Sequence, residues 1–216
     1  MKYLLFSHGF GVRKDSKGMF SDIAQAFSGY QAVMFEYNSY SLEGKLMTVP
    51  SYRQQARNLS DHIKAIYSFD SDAEIILIAH SQGSIMPGLI KNIKLSKAIL
   101  LAPPSSVSAR RSKQRPNRKL LKSGAVMIFK NDGSQILLST RFMLGLRTTR
   151  PIKLYSQLAK QAPTFIIAAK QDEMVRNSQL SAVTGVKLMS IEGNHNFTGT
   201  YRKGLIKAIA KILIGK

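Results

Sequence analysis

Ile75-Ile76-Leu77-Ile78-Ala79-His80-Ser81-Gln82-Gly83-Ser84 is the stretch on which the reading of this chain turns. Residues 75–79 are apolar without alternation, as in a strand covered on both faces of a parallel sheet. The run stops in a small-His-Ser-Gln-Gly turn, and helix-compatible residues follow. A serine at the apex of such a turn stands clear of the backbone only where the turn is tight. The residues two before and two after it must then be small. Gly83 meets that demand fully. Ala79 is small, but it stands where the strict G-x-S-x-G pattern has glycine. A helix beginning at Gln82 would aim its first N–H groups at charge developing near Ser81. The plain alternative is an ordinary strand-to-helix turn capped by Ser81.

Working outward, comparable apolar runs occur at residues 2–6, 32–36, 98–102, 164–169 and 186–191. All read as buried strands. Between them lie helical patterns. Residues 52–69 place Ala56, Leu59, Ile63, Ile66 and Tyr67 on one face, with Ser51 as N-cap after Pro50. Residues 201–214 place Leu205, Ile206, Ile209, Ile212 and Leu213 on one face and Lys203, Lys207 and Lys211 on the other. Strand–helix alternation predicts an α/β fold with a mostly parallel six-stranded sheet and helices on both faces.

Residues 104–160 break the rhythm and are too long for a simple connection. They open with a polar, basic segment. Residues 125–129 and 135–139 then flank Lys130-Asn131-Asp132-Gly133-Ser134, the pattern of a β-hairpin. Phe142, Met143, Leu144 and Leu146 follow, then a helix-like run at 151–160. The expectation is one domain over residues 1–216, with 104–160 inserted as a cap containing a hairpin.

The chain has 216 residues, 44% of them hydrophobic, and a mean hydropathy of −0.10, as in a globular protein with a substantial core. Cysteine is absent, which excludes disulfides and thiolate chemistry. No metal-ligand cluster stands out, so no cofactor is expected. No apolar run approaches the roughly 18–20 residues of a membrane span. The opening 1–6 segment is too short for a secretory h-region, so a cytoplasmic location is expected. Lys and Arg number 32 against 12 Asp and Glu. Residues 75–171 hold 17 basic side chains and one acid, Asp132, whereas residues 1–74 balance at eight of each. A cap with Arg110, Arg111, Lys113, Arg115, Arg118, Lys119 and Lys122 can attract an anionic lipid surface, a nucleic acid or an anionic substrate. The alternative is that this charge is background composition.

Ser81 as a nucleophile requires a base and an orienting acid. Of four histidines, His62 lies mid-helix, and His8 and His80 are placed to shape turns. His195, in Gly193-Asn194-His195-Asn196, follows the last strand, at the strand end where ligands gather. Asp172 follows the 164–169 strand, with Glu173 as the neighbouring alternative. The turn His8-Gly9-Phe10-Gly11 follows the first strand. The backbone N–H groups of Phe10 and Gln82 can then face one point as an oxyanion hole.

These segments together resemble the α/β-hydrolase superfamily, nearly end to end. The resemblance implies Ser81 as nucleophile, His195 as general base then acid, Asp172 as its carboxylate, and donors at Phe10 and Gln82. It also implies that residues 104–160 occupy the place of the variable cap. Ala79 departs from the family's motif, and its two leading antiparallel strands have no counterpart here. The expected activity is hydrolysis of small carboxylic esters through an acyl-enzyme. Peptidase, acyl-aminopeptidase or thioesterase action would use the same triad. A non-catalytic protein binding through its basic face is the rival of another class. Phe129, Ile136, Leu137, Phe142 and Met143 are candidates to line an acyl pocket.

Overall fold

The computed structural model describes residues 1–107, 117–175 and 177–214. Six strands form one sheet, each pairing parallel with its neighbours: β1 (Lys2–Ser7), β2 (Gln31–Met34), β5 (Glu74–His80), β6 (Lys97–Leu101), β10 (Thr164–Ala169) and β11 (Val186–Ile191). Their order is β11-β10-β6-β5-β1-β2. The four inner strands match the expected continuous apolar runs. The edge strands do not stay buried: β2 and β11 expose residues such as Gln31 and Lys187, because an edge has a neighbour on one side only.

Strand alternation divides the interior into two layers. Tyr3, Leu5, Ile75, Leu77, Ala98, Leu100 and Ile166 point to one side. They meet Leu59, Ile63 and Ile66 of α2 (Tyr52–Phe69) and Tyr155 and Leu158 of α4 (Pro151–Ala159). Leu4, Phe6, Ile76, Ile78, Ile99 and Ile167 point to the other. There they meet Met19, Phe20 and Ile23 of α1 (Met19–Ala26) and Leu205, Ile209 and Ile212 of α5 (Tyr201–Ile214). Each fully buried Leu, Ile or Phe contributes about 1.5–3 kcal/mol. Ser51 caps α2 as its position predicts, accepting from Gln54 N at 3.3 Å.

A second sheet has the order β3-β4-β9-β8-β7. The predicted hairpin supplies β8 (Val126–Phe129) and β9 (Gln135–Leu138), and β7 (Arg118–Leu120) pairs with β8. The remaining strands, β3 (Ser39–Tyr40) and β4 (Leu46–Val49), come from the β2–α2 connection, outside 104–160. β4 pairs parallel with β9, so two segments distant in sequence build this sheet. Two helices are also additional to the sequence reading: α1, and α3 (Thr140–Thr148), capped by Ser139. The basic residues Arg110, Arg111, Lys113 and Arg115 lie outside the described residues. No described helix is long and apolar enough to cross a membrane.

Candidate active site

Ser81 follows β5 with φ 51°, in the left-handed region that a non-glycine residue enters only under constraint. Ser7 Oγ donates to Gly83 O at 3.0 Å, and Ser84 Oγ donates to Ala79 O at 2.9 Å. Gly83 is required by close approach: a Cβ there would stand 2.3 Å from Ser7 O and 2.5 Å from His8 O. Gly83→Ala is therefore expected to cost about 1–3 kcal/mol in urea unfolding. Gly204→Ala, in α5 with open space around the new methyl, is expected to gain about 0.5–1 kcal/mol.

The expected α-helix after the turn does not form. Two 3₁₀ turns, Ser81–Ile85 and Pro87–Leu89, take its place. Pro87 has no N–H to continue an α-helical ladder onto Gly83 O, and Met86 N makes the tighter bond to that carbonyl instead, at 3.3 Å. Any field at Ser81 from this element is thus that of a few N–H groups rather than of a long helix.

His195 and Asp172 reach Ser81 from two other strand ends. His195 Nε2 lies 2.9 Å from Ser81 Oγ, and His195 Nδ1 lies 2.9 Å from Asp172 Oδ2. Asp172 Oδ1 also accepts from Met174 N and Val175 N, both at 2.9 Å. Burial pushes the Asp172 carboxyl up, but the His195 hydrogen bond and these backbone donors hold it below its ordinary value. Gln171 ties the two loops together: its N–H donates to Gly193 O at 3.0 Å, and its Oε1 accepts from Gly193 N at 2.7 Å.

Gly9 brings the loop after β1 against the serine, where a Cβ would meet Ser81 Cβ at 3.1 Å. The register aligns Ser7 with Ala79, so the loops after β1 and β5 leave the sheet together. His8 is buried there, its Nδ1 2.9 Å from Gly9 O and its Nε2 2.8 Å from Glu36 Oε1. A hydroxyl, an imidazole and a carboxylate thus form one hydrogen-bonded chain, with the backbone of Gly9 against the serine.

No family model matches the sequence, and no curated protein matches it. Solved structures do match the fold. Est1E from Butyrivibrio proteoclasticus, bound to ferulic acid, superposes with a TM-score of 0.75 at 14% identity, covering 100% of this chain and 89% of that one. The putative non-heme bromoperoxidase BpoC from Mycobacterium tuberculosis H37Rv gives 0.69 at 13% identity, covering 100% and 92%. A thermophilic esterase from Thermogutta terrifontis gives 0.66 at 14% identity, covering 100% and 90%. The chain has the α/β-hydrolase fold.

On this α/β-hydrolase scaffold the apolar candidates from the sequence separate. Phe142 of α3 is buried against Phe10, with ring centroids 5.8 Å apart, and against Tyr52 at 5.3 Å. Met143 is buried in the same core, and Ile136 approaches Gly11. Phe129 lies elsewhere, 41% exposed at the end of β8, on the opposite face from Val126 and Ile128, and Leu137 is likewise opposite Ile136. His62 is removed from the serine and stacks on Phe35 at 4.1 Å.

The sequence did not reveal what Glu173 and His80 touch. Glu173 Oε2 accepts from His195 N at 3.1 Å, and so holds the backbone of the histidine rather than its ring. His80 is buried behind Ser81, with Nε2 2.9 Å from His195 O and Nδ1 3.0 Å from Ser16 Oγ. The carbonyl can only accept, so Nε2 carries the proton and Nδ1 accepts from Ser16. His80 thereby joins the loops after β1, β5 and β11. The adjacency of His80 to Ser81 was the only signal available in the sequence.

Burial, with His195 nearby, lowers the His80 pKa from 6.5 to about 3. Unfolded chains take up this proton as pH falls below 6.5, while the folded protein resists until about 3. Stability from the neutral ring is therefore complete above 6.5 and declines across that interval. His80→Gln, which cannot titrate, is expected to lose less stability than the parent between neutral pH and about pH 4.5. Urea unfolding at both pH values measures this.

Proposed function

We propose that the chain is a serine hydrolase that cleaves carboxylic esters through an acyl-enzyme. The observation that carries this reading is the relay from Ser81 Oγ through the His195 ring to Asp172, beginning at a serine held at positive φ. Ser81 Oγ attacks the ester carbonyl while His195 Nε2 takes its proton. Asp172 keeps the Nδ1 proton in place and stabilises the imidazolium without itself becoming protonated. The N–H groups of Phe10 and Gln82 are assigned to the oxyanion, supported by the approach of Gly9 to Ser81. When the tetrahedral adduct collapses, the C–O bond to the alcohol breaks and His195 protonates the departing oxygen. Water then attacks the acyl-enzyme, giving its proton to His195. The second adduct collapses to the carboxylic acid, and the proton returns to Ser81 Oγ.

Phe142 is assigned to the wall behind Phe10, with Met143 backing it. Phe129 is set apart from this assignment by its position on the other face. The esterase names among the structural matches agree with an ester substrate. Labelling by a fluorophosphonate, followed by matched ester, thioester and amide substrates of graded acyl length, tests the reading. Labelling at Ser81 with ester turnover fastest is the expected result. No labelling, or amide turnover exceeding ester turnover, overturns it.

A further inference from the structure

We propose that the outer face of the second sheet docks on an anionic lipid bilayer. The proposal goes beyond ester hydrolysis and does not depend on it. The inner face of this sheet is filled by Met47, Val49, Val126, Ile128, Ile136 and Leu138, all within one core. Side chains alternate along a strand, so Leu46, Met127, Phe129 and Leu137 project the other way. The register groups them: Met127 opposes Leu137, while Phe129 and Leu46 both oppose Gln135. None of the four packs in either core.

The turn between β3 and β4 extends this surface. Leu42 at its tip is fully exposed. Lys45 O accepts from Gln135 N at 2.8 Å, which sets that tip beside the β8–β9 turn. A lone exposed leucine is unremarked on most proteins, but here it lies at the end of a sheet face that carries Leu46, Met127, Phe129 and Leu137 among Thr48, Lys119 and Gln135.

Charge identifies the occupant. Lys45 adjoins Leu46, Lys130 adjoins Phe129, and Lys119 opposes Met127. Two carboxylates lie at the same end, Glu43 and Asp132, and Asp132 is engaged by Ser134 N and Oγ at 2.9 and 2.6 Å. Residues 117–130, which form β7, β8 and the turn between them, hold Arg118, Lys119, Lys122 and Lys130 and no acid.

A bilayer with anionic headgroups uses both features. Leu42 and Phe129 enter the interfacial zone, and the lysines remain at the phosphates. A nucleic acid would engage the lysines and leave the aliphatic side chains without a partner. A second copy of a chain with net charge +20 would bring like charge against like.

The test is co-sedimentation of the whole chain with phosphatidylcholine vesicles, with and without phosphatidylglycerol, at low salt and at about 0.15 M. Binding is expected only with phosphatidylglycerol, weakening as salt rises. Leu42→Glu, and separately Lys45→Glu with Lys130→Glu, are expected to weaken it about tenfold. Both variants should retain the parent's thermal unfolding and its turnover of a small soluble ester. Three outcomes overturn the proposal. The first is sedimentation of the parent with neither vesicle. The second is equal binding to both kinds. The third is unchanged vesicle binding by Leu42→Glu, whether or not a nucleic-acid duplex binds or a dimer dissolves. Vesicle binding is read without turnover, so its failure is distinguishable from failure of the hydrolase reading.

Discussion

Ser81→Ala is expected to lower kcat for ester hydrolysis by about 10⁶-fold and to abolish fluorophosphonate labelling. The hydroxyl is the only group removed, and its oxygen lies 2.9 Å from His195 Nε2. The fold should persist, because the turn is held by other groups: Ser7 on Gly83 O, Ser84 on Ala79 O, and Gly83 against the β1 backbone. Alanine also accepts the same backbone at the same cost in strain as serine, so unfolding by urea should shift little. Circular dichroism and single-turnover hydrolysis on the same preparation separate the two effects. A variant that labels or turns over like the parent would remove Ser81 from the chemistry.

Asp172→Asn should follow with a loss of about 10⁴-fold in kcat. The carboxylate accepts from His195 Nδ1, so Nε2 is left free to take the serine proton. An asparagine amide presented to Nδ1 favours the opposite tautomer, with the proton on Nε2 and none to accept there. Glu173→Gln is the matched comparison, since both substitutions remove one charge from neighbouring residues. Glu173 accepts from the His195 backbone N–H, a role that the glutamine carbonyl oxygen can fill. Its effect should stay within about tenfold. The reverse ranking of the two variants would transfer the orienting role to Glu173.

The parallel sheet could be read from the sequence because its inner strands are covered on both faces, which leaves continuous apolar runs such as 75–79. Helices α2 and α5 were equally legible, since each lays one long apolar stripe on the sheet. Ser81, Asp172 and His195 stood out as three polar residues, each just beyond a different apolar run, and strand ends in such a sheet gather on one side.

Other features are carried by contacts between distant segments and leave no local period. Strands β3 and β4 are short and half-buried, and beyond its pairing with β3, β4 joins the sheet through β9, about ninety residues later. The choice of Asp172 over Glu173 for the His195 ring is a matter of side-chain direction, which adjacent carboxylates in one loop do not encode. His80 is assigned its proton by a carbonyl 115 residues away. Apolar periodicity and strand-end chemistry, both local, thus determined the sheet, its main helices and the residues brought to one edge. The tertiary structure decided the second sheet, the partner of each carboxylate and the faces turned toward core or solvent, because those depend on which distant backbones meet.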